Sequence, residues 1–207
     1  MQELSVTVGG THHSLERPFF VLATQNPIEM EGTYPLPEAQ LDRFLLKLKV
    51  QYPSAEDLAE IIERTTKPVT HPVHKAAAGP EVEDMKGLVR EVPLPQPVKE
   101  YVSRLILSTR PDVADAPDMV RRFVRYGSSP RGAQALVMGG KVSALTDGRF
   151  NVSFDDIRAV AFASLRHRLI LSFEGEAEGI DPDRILEDLL DRVPTQPPKA
   201  ALLPQGL

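Results

Sequence analysis

Three polar residues of this sequence have the types and positions that suit phosphate chemistry. Asn26 follows the apolar segment 19–22, in ATQNPIEMEGTYPLPEAQLDRF, and its amide can donate and accept at once. Such a group can hold a water molecule between a phosphate and a carboxylate. Arg43 ends one short predicted helix and Arg131, in SSPRGA, begins another, so each could offer a planar set of donors to a phosphate oxygen. The alternative is that Asn26 is a turn residue before Pro27 and that the arginines are ordinary surface residues.

The elements that must position Asn26 and Arg43 are predicted strands and one short helix. Apolar and polar residues alternate over 4–8 and Gly9-Gly10 follows, which predicts a β-hairpin. The apolar runs at 19–22 and 44–50 predict two further strands. Pro37 is expected at the first position of the short helix that precedes Arg43.

The remainder of the chain has a helical pattern. Ser54 and Ser153 are predicted N-caps, and residues 67–81 form a connector rich in Pro and His. Predicted helices lie at 55–66, 82–90, 97–109, 117–126, 130–148 and 154–171. A last helix begins at Asp181-Pro182 and has four apolar residues at helical spacing, namely Ile185, Leu186, Leu189 and Leu190.

This order of elements predicts an α/β part followed by an all-α part. Two or three strands make a poor sheet by themselves, so the strands are interpreted as the C-terminal piece of an α/β domain. The predicted divisions are the end of the α/β core at 1–52, a helix and connector at 53–81, a helical domain at 82–193 and a loose tail at 194–207.

Composition excludes several kinds of site. The chain has 207 residues, a formal net charge of -5 and no cysteine. A disulfide framework, a thiol nucleophile and a cysteine-based zinc site are therefore excluded, and a cytoplasmic location is expected. No apolar run reaches the roughly 20 residues that span a bilayer, so no membrane insertion is expected. The acidic balance argues against nucleic-acid binding.

Other candidate sites are weaker. His71 and His74 lie in the Pro-rich connector, and His167 lies between two arginines, so all are interpreted as solvated and no metal site is predicted. GGKVS at 139–143 fails the phosphate-loop pattern, and its Gly-Gly pair is expected to weaken a helix. The carboxylates near Arg43, including Asp42, are interpreted as solvated.

Taken together, these segments resemble the C-terminal two-thirds of MoxR-type AAA+ ATPases. The specific part is VTVGG...RPFFVLATQNPIEMEGTYPLPEAQLDRF, and GSSPRGAQAL, LTDGR, DDIRAV and LRHRLIL continue the match in order. The resemblance implies the C-terminal part of an AAA+ α/β nucleotide-binding core followed by a helical lid domain. It implies that Asn26 is sensor 1, that Arg43 is the arginine finger acting on a neighbouring subunit, and that Arg131 is sensor 2. Whether Arg131 acts within its own subunit or across the interface stays open.

The resemblance also implies cofactors and partners. The family uses ATP and Mg²⁺, forms rings that we expect to be hexameric, and often acts with von Willebrand A-domain proteins in chaperone-like maturation. The family's Walker A loop and Walker B strand are not in this sequence, so the chain alone is expected not to hydrolyse ATP. Two alternatives stay open: a non-catalytic module that docks on intact AAA+ subunits, and a nucleic-acid-binding helical domain with the locally basic segment VRRFVRYGSSPRGA.

Overall fold

The computed structural model describes residues 4–25, 36–68 and 72–196. The chain divides into two compact units. One comprises Met1–Gln25 with Leu48–Gly87, and the other comprises Asn26–Lys47 with Leu88–Leu207. Asn26 itself lies outside the described residues, as does His71.

The first unit contains the predicted hairpin. Strands β1 (Ser5–Val8) and β2 (Thr11–Ser14) pair antiparallel, with Val8 opposite Thr11. Gly9 and Gly10 form the turn with φ of 57° and 81°, a backbone conformation that glycine adopts without steric cost. This prediction is confirmed.

Two predicted strands are wrong. Residues 19–22 and 44–50 have no strand pairing in the part of the chain that the structure describes. A strand is stable only when a neighbour completes its hydrogen bonds, and neither segment has one there. Several of their apolar side chains are exposed, with Leu22 at 83% and Val50 at 95%.

Residues 36–68 contain two helices. Helix α1 (Glu38–Leu41) starts one residue later than predicted, because Pro37 is its N-cap. Arg43 therefore lies in the turn after α1 and not within the helix. Helix α2 (Ala55–Thr66) begins as predicted, with a capping box between Ser54 and Asp57.

Most of the remaining chain is helical and has one core. Its helices are α3 (Gly79–Glu91), α4 (Gln96–Ser108), α5 (Asp118–Phe123), α6 (Pro130–Thr146), α7 (Phe154–Leu165), α8 (Phe173–Ala177) and α9 (Pro182–Arg192). Helices α4, α5, α6, α7 and α9 bury a continuous apolar cluster that includes Tyr101, Leu105, Leu136, Ile157 and Leu186. The predicted cap Ser153 and the predicted start of the last helix at Asp181-Pro182 are confirmed, with Asp181 as N-cap, and the four apolar residues of α9 are buried.

Two helices are shorter than the helical pattern predicted. The helix predicted over 117–126 ends at Phe123, and strand β3 (Val124–Tyr126) follows. The helix predicted over 154–171 ends at Leu165, and strand β4 (Ile170–Leu171) pairs antiparallel with β3. A tertiary pairing between distant segments therefore prevails over helical periodicity in both places.

Gly139 and Gly140 have a packing role that the sequence did not predict. A Cβ on Gly140 would lie 2.9 Å from Cδ1 of Ile157 and 3.1 Å from Cγ1 of Val152. A Cβ on Gly139 would lie 3.2 Å from Val160. The pair lets α6 and α7 approach closely, so its expected weakening of the helix is offset by packing.

Among the described residues, no helix has both the length and the apolar character needed to cross a membrane.

Candidate functional site

Asp42 lies at the centre of the most connected polar cluster that the structure describes. Its carboxylate accepts hydrogen bonds from Ser129 Oγ at 2.9 and 3.0 Å, from Arg131 Nη1 at 3.0 Å and from Arg168 Nε at 3.1 Å. Its side chain is 18% exposed. The prediction that the carboxylates near Arg43 are solvated is therefore wrong for Asp42.

The start of α6 places two of these partners. Ser129 is the N-cap, and its Oγ accepts from the backbone N–H of Arg131 at 3.1 Å while donating to Asp42. Pro130 takes the first helical position, where its missing N–H costs nothing. The sequence SPR thus fixes the direction in which Arg131 leaves the helix, towards Asp42.

Arg168 holds the other side of the cluster. Its side chain is 2% exposed. Its Nη2 donates to the carbonyl oxygens of Asp42 at 3.0 Å and Phe44 at 2.7 Å, and its Nη1 donates to that of Leu45 at 3.2 Å and to that of Ser164. A planar guanidinium with fixed donors is suited to several acceptors at once.

Glycine is needed next to this arginine. A Cβ on Gly132, one turn into α6, would lie 2.0 Å from Ser128 Oγ, 3.0 Å from Leu165 Cδ2 and 3.3 Å from Arg168 Cδ. The glycine of SSPRGA therefore leaves the space in which Arg168 passes beside α6 towards Asp42.

The charges of the cluster stabilise one another. Burial raises the pKa of Asp42, but hydrogen bonds from Arg131 and Ser129 and the charge of Arg168 outweigh it and hold that pKa below its ordinary value. Burial lowers the pKa of Arg168, and the neighbouring Asp42 carboxylate opposes that shift. Asp42 is therefore ionised at neutral pH, and Arg168 keeps a charged partner.

His167 also belongs to this region. Its Nε2 lies 3.0 Å from the carbonyl oxygen of Phe44. Because a carbonyl only accepts, Nε2 carries the proton, and the buried Nδ1 has no described partner. Burial lowers the pKa of His167, which keeps the ring neutral. The interpretation of His167 as solvated is wrong.

The comparisons with known proteins agree with this architecture. The family model described as "ATPase family associated with various cellular activities (AAA)" matches residues 1–46, and the AAA lid domain matches residues 118–189. A crystal structure of a proposed ATPase from Cytophaga hutchinsonii aligns with a TM-score of 0.86 and 37% identity, over 93% of this chain and 59% of that one. Chaperone MoxR1 of Mycobacterium tuberculosis is 37% identical over 93% of this chain and 51% of its own length.

The chain belongs to the MoxR-type AAA+ ATPases. YeaC of Bacillus subtilis, an uncharacterized protein, is 40% identical over 95% of this chain and 59% of its own length. The chain thus spans about half to three-fifths of the length of these relatives. The predicted fold class, the C-terminal part of an AAA+ α/β core followed by a helical lid, is confirmed.

The site joins the two regions that the MoxR-type assignment defines. Asp42 and Arg43 lie within the matched ATPase region, and Arg131 and Arg168 lie within the matched lid region. The structure brings Arg131 to Asp42, the residue before Arg43. The Arg43 side chain is exposed, and no described acidic residue pairs with it. Asn26 lies outside the described residues, so its predicted role stays a prediction.

The donor set at this site suits phosphate. The side chain of Arg43 is exposed and that of Arg131 is half-exposed, so both can donate cationic N–H groups to a ligand. Arg131 donates to Asp42 through Nη1 alone. No cluster of three or more His, Asp or Glu side chains that could hold a metal ion occurs in residues 4–25, 36–68 and 72–196. The guanidinium donors of Arg43 and Arg131 thus fit a phosphate oxygen.

Sequence reasoning missed Asp42, Ser129 and Arg168 as members of one site. The signal that could have indicated Arg168 was the run LRHR, which places three basic residues in succession between the end of α7 and strand β4.

The basic segment around residue 122 is largely neutralised. Arg121 pairs with Asp118 at 2.6 Å, and Arg122 pairs with Glu174 at 2.5 Å and Glu178 at 2.6 Å. Little uncompensated positive charge is left on this segment to attract a nucleic-acid backbone.

Proposed function

We propose that this chain provides the arginine finger and the lid of a ring-forming ATPase. ATP with Mg²⁺ would supply the phosphoryl group that is transferred to water. In this proposal Arg43 donates to the γ-phosphate oxygens of a nucleotide held by the neighbouring subunit, and Asn26 orients the attacking water. Removing an arginine finger lowers the rate of phosphoryl transfer by roughly 10³- to 10⁵-fold in related systems.

One observation carries the proposal: Asp42 fixes Arg131 next to the turn that presents Arg43. Arg131 Nη1 lies 3.0 Å from Asp42 Oδ2, and Arg43 follows Asp42 in the chain. This adjacency supports a common target for both arginines, namely one phosphate group. We therefore propose that Arg131, as sensor 2, acts across the same subunit interface as Arg43.

The biological role is proposed from the relatives. The M. tuberculosis relative is named a chaperone, which supports a chaperone-like role in the maturation or assembly of other proteins. A homo-oligomeric ring of six subunits and von Willebrand A-domain partners are proposed from the family resemblance. The 207-residue chain alone is proposed to be inactive in hydrolysis.

The test begins with the native protein purified from its source cells. Its intact mass and N-terminal peptides establish whether cells contain a form with a G-x-x-x-x-G-K-[ST] loop. Phosphate release is then measured for the wild type, Arg43→Ala and Arg131→Ala, each as an oligomer of verified size. Arg110→Ala is the matched control, because Arg110 is an exposed lid arginine that pairs with Asp112 and has no bond to the site.

We expect both site variants to lose hydrolysis while retaining nucleotide binding, and the control to keep it. Mixed oligomers show whether Arg43 acts on the nucleotide of its own subunit or on that of the neighbouring subunit. If Arg43 acts across the interface, subunits with an intact finger but no nucleotide binding restore hydrolysis in their Arg43→Ala neighbours. Unchanged phosphate release by Arg43→Ala would refute the assignment of Arg43.

A docking module is the second candidate, and one observation favours it. Among the described residues of the first unit, six large hydrophobic side chains are more than two-thirds exposed: Phe20, Leu22, Leu48, Val50, Tyr52 and Val73. Exposed apolar surface of this kind is typical of a binding surface. In this alternative the 207-residue chain binds intact subunits without nucleotide. Co-elution of the chain with intact MoxR-type subunits would support it, and separate elution with an unchanged ATPase rate would exclude it.

A further inference from the structure

The segment that carries Arg43 has an unusual source of hydrogen bonds. Residues 42–47 have no strand partner among the described residues, and four of their carbonyl oxygens, at positions 42, 44, 45 and 47, accept hydrogen bonds from side chains at the end of α7 instead. The consecutive basic residues 166–168 all donate to them. Arg168 donates to the carbonyls of Asp42, Phe44 and Leu45, His167 to that of Phe44, and Arg166 to that of Lys47 at 3.4 Å.

The direction of the main chain is fixed by a further bond. The backbone N–H of Lys47 donates to the carbonyl of Ala163, in the last turn of α7, at 2.8 Å. Both residues next to Arg43 are thus held from the lid, Asp42 through its side chain and carbonyl and Phe44 through its carbonyl. Arg43 itself has no bond to the lid among the described residues, so its placement depends on its two neighbours.

Arginine is the side chain that this arrangement requires at position 168. A guanidinium has donors in a rigid plane and stays charged when buried, whereas a lysine ammonium is a single flexible point of donation. Here one guanidinium reaches the Asp42 carboxylate and three carbonyls of the turn at the same time. A lysine at this position would keep the charge pair with Asp42 and lose most of the carbonyl contacts.

We infer that Arg168, assisted by His167, is a positioning residue for Arg43, and that it transmits the position of the helical lid to the catalytic turn. The inference rests on the proposed role of Arg43 as the arginine finger. Its consequence is that the finger is set by the lid of its own subunit. A displacement of α7 or of the N-terminus of α6 then moves Arg43 through Asp42.

The test compares two pairs of variants in the native protein, in the oligomeric form that cells contain. Arg168→Lys keeps the charge and removes the planar donors. His167→Leu removes the donor to Phe44, and His167→Gln keeps an amide nitrogen near the position of Nε2. Arg158→Lys is the control, because Arg158 is a lid arginine that donates to the carbonyl of Leu190 and has no bond to residues 42–47.

Steady-state ATP hydrolysis and nucleotide affinity are measured for each folded variant, alone and combined with Arg43→Ala. We expect kcat to fall about 10- to 100-fold in Arg168→Lys, as for a misplacement of about 1 Å. A smaller fall is expected in His167→Leu. KM and nucleotide affinity stay unchanged, His167→Gln restores most of the rate, and Arg158→Lys matches the wild type. In the Arg43→Ala background neither substitution lowers the rate further.

Hydrogen exchange on the 207-residue chain supplies a readout that does not depend on hydrolysis. Amides of residues 42–47 exchange faster in Arg168→Lys and His167→Leu than in the wild type or Arg158→Lys. Unchanged exchange there in a folded Arg168→Lys variant refutes the inference. So does a loss of kcat that multiplies with that of Arg43→Ala, since the residue then acts independently of the finger. If Arg43→Ala itself leaves the rate unchanged, the proposed function fails, and the exchange experiment still tests the link between lid and turn.

Discussion

Replacing Asp42 by Asn removes one negative charge from the cluster and little volume. Arg168 is then left with a buried guanidinium, 2% exposed, whose acceptors are carbonyl oxygens and one amide oxygen. Removing one partner of a buried ion pair costs about 3–5 kcal/mol of the free energy of unfolding. Because Asn retains an acceptor and Asp42 is 18% exposed, we expect the lower end, about 3 kcal/mol.

For a chain of this size, that loss corresponds to a fall in Tm of about 6–12 °C. The chain has no tryptophan, so unfolding is followed by circular dichroism at 222 nm, which reports mainly on the helical unit. Asp112→Asn is the matched control, since Asp112 also pairs with one arginine but its side chain is 64% exposed. We expect no resolvable change in Tm for that variant.

Equal unfolding temperatures for Asp42→Asn and Asp112→Asn would refute the expected stabilisation by the buried ion pair. That result would mean that the Asp42 carboxylate adds nothing beyond the carbonyl acceptors of Arg168. A double-mutant cycle that adds Arg168→Met and the Asp42→Asn, Arg168→Met double variant measures the coupling energy between these two residues, and a coupling energy near zero would contradict the assignment of the loss to their ion pair.

The remaining predictions concern pH and packing. Despite burial, hydrogen bonds from Arg131 and Ser129 hold the pKa of Asp42 below the ordinary value of 3.8, and hydrogen bonds from Arg149 do the same for the buried Asp156. The contribution of both carboxylates to stability is complete above that pH and is lost as the pH falls through the lower folded-state pKa values. Acid titration at 222 nm should show this loss, and Asp42→Asn should reduce it. Gly140→Val is expected to cost about 1–3 kcal/mol through overpacking against Ile157 and Val152, whereas Gly87→Val, with no atom within 4 Å of the added Cβ, should not destabilise the chain in urea unfolding. Arg149→Ala leaves the buried carboxylate of Asp156 without its arginine and should lower Tm more than Arg110→Ala does; equal shifts would contradict that account.

Sequence reasoning located the candidate site in part. Arg131 was selected from its place at a helix start, and the structure puts it against Asp42. The sequence predicted Arg43 at the end of a short helix, and the structure places it in the turn directly after α1. Arg168 and Asp42 were not recognised as partners, because their contact joins residues 126 positions apart and no local pattern encodes such a pair.

The sequence by itself determined the features that depend on neighbours a few residues apart. The Gly9-Gly10 turn and the caps Ser54, Ser153 and Asp181 were predictable because a cap bonds to an N–H two or three residues later. Family membership was predictable because its motifs are contiguous. Only the tertiary structure decided where helical periodicity stops at Phe123 and Leu165, since β3 and β4 pair with each other across the fold. It also decided that the buried Arg168 holds the turn that carries Arg43. The burial of this arginine and its hydrogen-bond partners depend on segments that meet only when the chain folds.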